Sequence, residues 1–168
     1  SNNKWFCMIR WFAYFCAMEK PVYPITASDQ GLKYSFDITN NERVIVKVIT
    51  FTPVEASFDL YEMVFGTLMP NGKVDVLTVD GDHHLEKIIS TVISSLLQFL
   101  ELNPNTSVFF SGSTPARNRL YRAVITKVTS ATELPYQIWG FTTEDNLEVF
   151  DKSHHYTGYI IHGKNEIL

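Results

Sequence analysis

The stretch from Asp80 to Pro104, "DGDHHLEKIISTVISSLLQFLELNP", is where the chain changes its period. Upstream, apolar residues recur at every second position. Within the stretch, Leu85, Ile88, Ile89, Val92, Ile93, Leu96, Phe99 and Leu100 recur at helical spacing and form one wide apolar stripe. Asp82 has the residue type of an N-cap, and Asn103-Pro104 ends the helix. A stripe this wide must be buried against another layer, and the segments on either side read as strands.

Working outward toward the N-terminus, residues 33–38 alternate. Tyr34, Phe36 and Ile38 face one way while Lys33, Ser35 and Asp37 face the other, the signature of a half-buried strand. Turn residues at 39–42 lead into the β-branched run 43–52, which closes a hairpin. Residues 58–68 form a third strand. Pro70-Asn71-Gly72 predicts a type I′ hairpin turn, because Asn-Gly tolerates positive φ, and residues 73–79 return as a fourth strand. Toward the C-terminus, residues 106–111 read as a short central strand and 114–131 as a second helix with Leu120, Val124, Val128 and Ala131 inward. After Leu134-Pro135, residues 136–142, 147–150 and 156–162 read as three more strands. The expectation is an α+β fold of order β-β-β-β-α-β-α-β-β-β, a mostly antiparallel sheet with two helices packed on one face.

Composition agrees with a single packed domain over residues 18–168. Of the 168 residues 45% are apolar and 19% charged, and aromatics reach 14%. Residues 1–17 stand apart as an aromatic arm or a non-native leader. The run from Trp5 to Ala17 is too short to cross a membrane, which takes about 20 apolar residues, and Met18-Glu19-Lys20-Pro21 has the look of a natural start. The only cysteines, Cys7 and Cys16, lie in that arm. The body can therefore hold neither a disulfide framework nor a thiolate zinc site, which fits a reducing cytoplasm.

The formal net charge is −4, so there is no global attraction to nucleic acid. Between Glu101 and Glu133, however, no acid occurs, while Arg117, Arg119, Arg122 and Lys127 all do. These cations follow "SGSTP", residues 111–115. Ser113 or Thr114 suits an N-cap, and Pro115 at the first helical position has φ preset and lacks a donor that would go unpaired. A helix N-terminus with its dipole attracts anions. With Leu120 at the centre of the buried face, Arg117 lies about 60° away and inward, Arg119 falls on the flank, and Asn118 and Arg122 point out. A buried guanidinium requires a partner, either a protein carboxylate or an external anion. Ser113, Thr114, Arg117, Arg119, Tyr121 and Arg122 are thus the anion-binding or ligand-binding candidates.

Other chemistries find less support. Gly-x-Ser-x-Gly is absent, and so is the phosphate-loop pattern Gly-x4-Gly-Lys-Ser/Thr. His83 and His84 diverge by about 100° on a helix and cannot chelate one ion together. The pair His154-His155 reads as turn surface. No metal and no cofactor is expected. Lys47 shares its strand face with Ile45, Ile49 and Phe51, an oddity that a snorkelling side chain would explain.

"YEMVFG" (61–66), "GSTPARNRLYRAVI" (112–125), "YQIWGFTTEDNLEVF" (136–150) and "YTGYIIHGK" (156–164) resemble a family of small uncharacterised bacterial proteins, a domain of unknown function. Its Gly-Ser-Thr-x-x-Arg-x-Arg-Leu-Tyr-Arg block corresponds to Gly112, Ser113, Thr114, Arg117, Arg119, Leu120, Tyr121 and Arg122. Its Gly-Asp before the first helix corresponds to Gly81-Asp82. Where that family usually carries an acid after the Phe-Gly pair, this chain has Thr67. The resemblance implies a soluble intracellular bacterial protein with no established activity. The leading functional expectation is a non-catalytic binding or regulatory module for an anionic small molecule or protein partner. An enzyme acting on a phosphorylated or carboxylated small molecule is the alternative. A short patch without interleaved aromatics argues against nucleic acid, and the aromatic excess suits a homodimer.

Overall fold

A computed structural model describes residues 21–57, 59–76, 84–131 and 136–163, with the backbone alone at 124, 127, 128, 130 and 131. In chain order the elements are β1 (Thr26–Ser28), β2 (Lys33–Asn40), β3 (Arg43–Pro53), β4 (Leu60–Leu68) and β5 (Val74–Asp75). Then come α1 (Leu85–Leu102), β6 (Ser107–Phe110), α2 (Pro115–Ala131), β7 (Tyr136–Phe141), β8 (Leu147–Val149) and β9 (Gly158–Gly163). The strands form one sheet of order β1-β2-β3-β4-β6-β9-β7-β8, with β5 beside β4. Every pairing is antiparallel except β4–β6, whose parallel register needs the crossover that α1 provides. The fold is α+β as expected, and β6 is central, flanked by β4 and β9.

Three local readings change. β1 is an added strand, too short to show a period, and β5 is confined to Val74–Asp75; residues 77–79 of the expected fourth strand lie outside the described residues. The β4–β5 turn is also shifted by one residue. The Gly72 N–H donates to the Met69 carbonyl at 2.9 Å, so Pro70 and Asn71 are its central pair. Only Gly72 takes a positive φ, +81°. Proline favours the first central position of a type I turn, and the glycine then supplies the left-handed residue that follows. The type I′ turn instead joins β2 to β3, where Asn41 and Glu42 have φ of 47° and 64°.

The core lies on one face of the sheet. Tyr34, Phe36, Ile49, Phe51, Met63, Phe65, Val108, Phe110, Tyr159, Ile161 and Ile138 pack there against α1 and α2. Phe51 stacks on Phe99 of α1 with centroids 4.0 Å apart. The apolar stripe of α1 is buried as its spacing predicts, but Ser90, Thr91 and Ser95 are buried as well. The segment ahead of β1 covers this extra flank: Val22, Tyr23 and Ile25 pack on the core, and the Tyr23 N–H donates to Thr91 Oγ1 at 2.9 Å. His84 occupies the cap position of α1 without a side-chain cap bond; Asp82, expected there, lies outside the described residues.

On α2 the described buried positions are Arg117, Tyr121 and Ile125, one helical row, whereas Leu120 is only partly buried. The inward face is therefore rotated by one residue from the expected centre. Tyr121 takes that centre because its ring meets Phe110 edge-on at 5.4 Å. The side chains of Val124, Val128 and Ala131 lie outside the described residues. Among the described residues no helix is long and apolar enough to cross a membrane.

Candidate functional site

The junction between β6 and α2 folds back on itself. Gly112 sits so close to the first turn of α2 that a Cβ there would lie 2.6 Å from the Asn118 nitrogen, a distance real side chains do not show. Its N–H donates to Asn118 Oδ1 at 2.6 Å, and Asn118 Nδ2 donates to the Thr157 carbonyl at 3.3 Å. Thr114 is the N-cap: its Oγ1 accepts the Arg117 N–H at 3.2 Å, and its carbonyl accepts the Asn118 N–H at 3.1 Å. Pro115 brings no donor. The first turn thus spends most of its N–H groups internally, and the chemistry of the corner passes to side chains.

Arg117 enters the interior with 7% of its surface exposed. Its Nη1 donates to Ser113 Oγ at 2.9 Å and to the Val76 carbonyl at 3.0 Å. Its guanidinium carbon stands 5.5 Å from the centroid of the Phe65 ring. A second cation reaches the same ring from the sheet: Lys47 Nζ is 5.6 Å from that centroid and donates to Thr67 Oγ1 at 2.7 Å. Strand register explains the meeting. Lys47 pairs with Thr67 across β3–β4, and Thr67 pairs with Asp75 across β4–β5, so the three lie in one row on the helix-bearing face. Lys47, Asp75 and Arg117 have interactions beyond these as well.

Lys47 corrects the sequence reading directly. It is 1% exposed and does not snorkel to solvent. Burial, and secondarily the charge of Arg117, lower its pKa from the ordinary lysine value to about 8, with Asp75 pulling the other way. The phase of Lys47 with Ile45, Ile49 and Phe51 was the available signal. Its partners Thr67 and Phe65 depend on register, which the sequence does not display.

The six predicted residues divide. Ser113, Thr114 and Arg117 come together, with Ser113 exposed at the mouth. Tyr121 lies buried one turn below Arg117; burial pushes its phenol up, and the charge of Arg117 opposes the shift. Arg119 is exposed. Arg122 leaves in another direction, its Nη1 donating to the His154 carbonyl at 3.0 Å and meeting His155 Nδ1 at 2.8 Å.

Beside Arg122 lies a surface cluster that joins the His154-His155 turn to Glu148 of β8 and to Tyr156. Glu148 Oε1 accepts from the Tyr156 hydroxyl at 2.8 Å and meets His154 Nδ1 at 2.5 Å. The hydrogen bonds from His154 and then Tyr156 hold the Glu148 carboxyl below its usual value, and Glu148 in turn raises His154. Among the described residues no three His, Cys, Asp or Glu side chains are grouped to hold a metal ion.

The model of one family, described as a family of unknown function (DUF6934), matches residues 19–164. The chain belongs to this family. The DUF6934 match takes in both clusters, from Lys47 and Thr67 through Arg117 to Glu148 and Tyr156. No curated protein and no solved structure matches the chain.

Proposed function

We propose that this DUF6934 protein is a non-catalytic binding module that holds an anionic ligand at the β6–α2 corner, with Arg117 as the anchor. One observation carries the reading: two cations from distant parts of the chain, Lys47 and Arg117, are buried around the same Phe65 ring. Burying like charges together disfavours both; Asp75 offsets part of that cost at Lys47, and a bound anion would offset more. Arg117 suits that task because its planar fork stays charged and pairs with two oxygens at once. Ser113 and Thr114 shape the entrance, Tyr121 packs the turn beneath, and exposed Arg119 adds positive potential at the rim. The absence of cysteine from residues 18–168 fits a reducing cytoplasm as its setting.

A second reading, an enzyme acting on a phosphorylated or carboxylated small molecule, draws on Lys47, whose pKa burial lowers to about 8, so that its amine could give up a proton at mildly alkaline pH. Thermal-shift titration with phosphate, sulfate and acetate tests the binding reading. An anion should raise the melting temperature of the wild type, and Arg117→Lys should weaken that response while circular dichroism shows the fold intact. If no anion stabilises the wild type and Arg117→Lys unfolds it, the corner is an internal structural pairing and the proposal fails.

A further inference from the structure

We propose that the outer edge of β8, with the aromatic sheet face beside it, takes an extended, cationic segment of a partner protein as an additional strand. β8 closes one end of the sheet, and among the described residues it pairs with β7 alone. The Phe150 N–H donates to the Ile138 carbonyl at 2.9 Å, and the Asn146 carbonyl accepts the Thr142 N–H at 2.8 Å. Alternate residues of an antiparallel strand turn their backbone groups to opposite neighbours, so Asn146, Glu148 and Phe150 face β7. The N–H and C=O groups of Leu147 and Val149 then point away from the sheet. Edge strands are ordinarily guarded by lysine, proline or a bulge. β8 carries none of these on its outer side: Leu147 and Val149 are 48% and 52% exposed. The opposite edge, β1, is Thr26-Ala27-Ser28 and offers no large apolar side chain.

Register extends the apolar character inward from β8. Val149 pairs with Trp139, Trp139 with Ile160 and Ile160 with Phe109. These residues alternate with the core residues Ile138, Ile161 and Phe110, so they lie on the sheet face away from the helices. Leu147 pairs with Phe141 in the next row, and the Phe141 ring meets Phe109 edge-on at 5.6 Å. Trp139 Nε1 donates to His162 Nε2 at 3.1 Å, so the indole N–H is satisfied within the face.

Charge selects the occupant. From residue 142 to 153 the acids are Glu144, Asp145, Glu148 and Asp151, against Lys152 alone among lysines and arginines. Glu148 is held by His154 and Tyr156, and Asp151 Oδ1 accepts from Ser153, so the attraction rests on Glu144 and Asp145, both exposed at the turn into β8. A second copy of this edge would set acids against acids, which disfavours self-pairing, and nucleic acid or an anionic membrane is repelled for the same reason. A strand of alternating apolar and cationic residues meets every requirement. Its main chain fills the outer side of β8, its apolar side chains extend the face beside Leu147 and Val149, and its cations reach Glu144 and Asp145.

The test is amide hydrogen exchange by NMR on the full chain, with a capped peptide of alternating valine and lysine as probe and its valine–glutamate counterpart as control. Saturation with the lysine peptide should slow exchange at Leu147 and Val149 by about tenfold or more, with little change at Phe150, whose N–H already has a partner. The glutamate peptide should bind about tenfold more weakly or not at all. Val149→Pro deletes an outward donor and no bond to β7, a change that edge strands accept, and should abolish the protection of Leu147. Glu144→Gln with Asp145→Asn removes the charge while asparagine keeps the left-handed backbone at 145, where φ is 58°. That variant should bind the lysine peptide more weakly and with less dependence on salt. Unchanged exchange at Leu147 and Val149, or equal binding of the two peptides, would overturn the proposal. Protection that grows with protein concentration in the absence of peptide would overturn it in favour of a second copy as the occupant.

Discussion

Arg117 and Arg122 leave the same helix five positions apart, about 140° around it, and meet opposite fates. Arg117 turns inward to a serine hydroxyl, a carbonyl and a ring already approached by Lys47. Arg122 turns to the loop before β9, where the His154 carbonyl and the His155 ring receive it. There Glu148 has paired with His154, so opposite charges adjoin at the surface once the imidazole is protonated. The surface cluster balances itself locally and ties a loop to a helix. The buried corner gathers Lys47 and Arg117 in the interior, with the charge of Asp75 acting on Lys47 in the opposite sense. The contrast separates a structural tie from a candidate site, although the sequence lists both arginines in one block.

The largest expected effect breaks the corner and spares the tie. Gly112→Ala would drive a Cβ to within 2.6 Å of the Asn118 nitrogen, a backbone atom with no freedom to yield. It should cost about 1–3 kcal/mol in urea unfolding. The histidine resonances beside Arg122 should hold their shifts; movement there as large as at the corner would show that the two regions are one unit.

Lys47→Met comes next and bears on pH. Because the folded pKa of Lys47 lies near 8, below its unfolded value, the unfolded chain holds more protons above that pH. The penalty for the buried charge is thus fully present below pH 8, and relief begins as pH rises through that value. Arg117 and Asp75 are the charged groups facing it, and they act in opposite senses. Wild-type stability should gain on going from neutral to alkaline pH relative to Lys47→Met, and the variant should match or exceed the wild type near neutrality. Parallel pH profiles for the two proteins would show that Lys47 is not the group responsible.

Smaller effects belong to the surface. Arg122→Ala should change stability by no more than about 0.5 kcal/mol in the same unfolding assay, as exposed contacts usually do. Glu148→Gln should return the His154 pKa toward its ordinary value in an NMR titration, since the Glu148 bond is what raises it. In the wild type the stabilising contribution of Glu148 is lost as pH falls through its lowered pKa, and that of His154 as pH rises through its raised one.

What the sequence showed follows from how burial leaves its mark. The alternation of Tyr34, Phe36 and Ile38 and the stripe of α1 were legible because one buried face imposes a period on apolar residues. β1 was not, since three residues carry no period. The inward face of α2 was misplaced by one residue because hydrophobicity alone favours Leu120, while packing chose Arg117 and Tyr121. The candidate site was half visible. Gly112, Thr114 and Pro115 announce a tight, capped junction through local chemistry. Lys47 and Thr67 join it only through the pairing of β3 with β4, and the partners of Arg122 lie more than 30 residues downstream. Both are long-range facts that no local pattern encodes.

The most direct test follows the side-chain Nε–Hε signals of the arginines by NMR while inorganic phosphate is added at constant ionic strength. Arg117 should shift saturably with added phosphate while Arg122 and Arg119 stay in place, and Lys47→Met should weaken the response. Equal, non-saturating shifts of all three arginines, or shifts confined to Arg119 and Arg122, would contradict a built site at the buried corner and leave only loose attraction of anions to a basic surface.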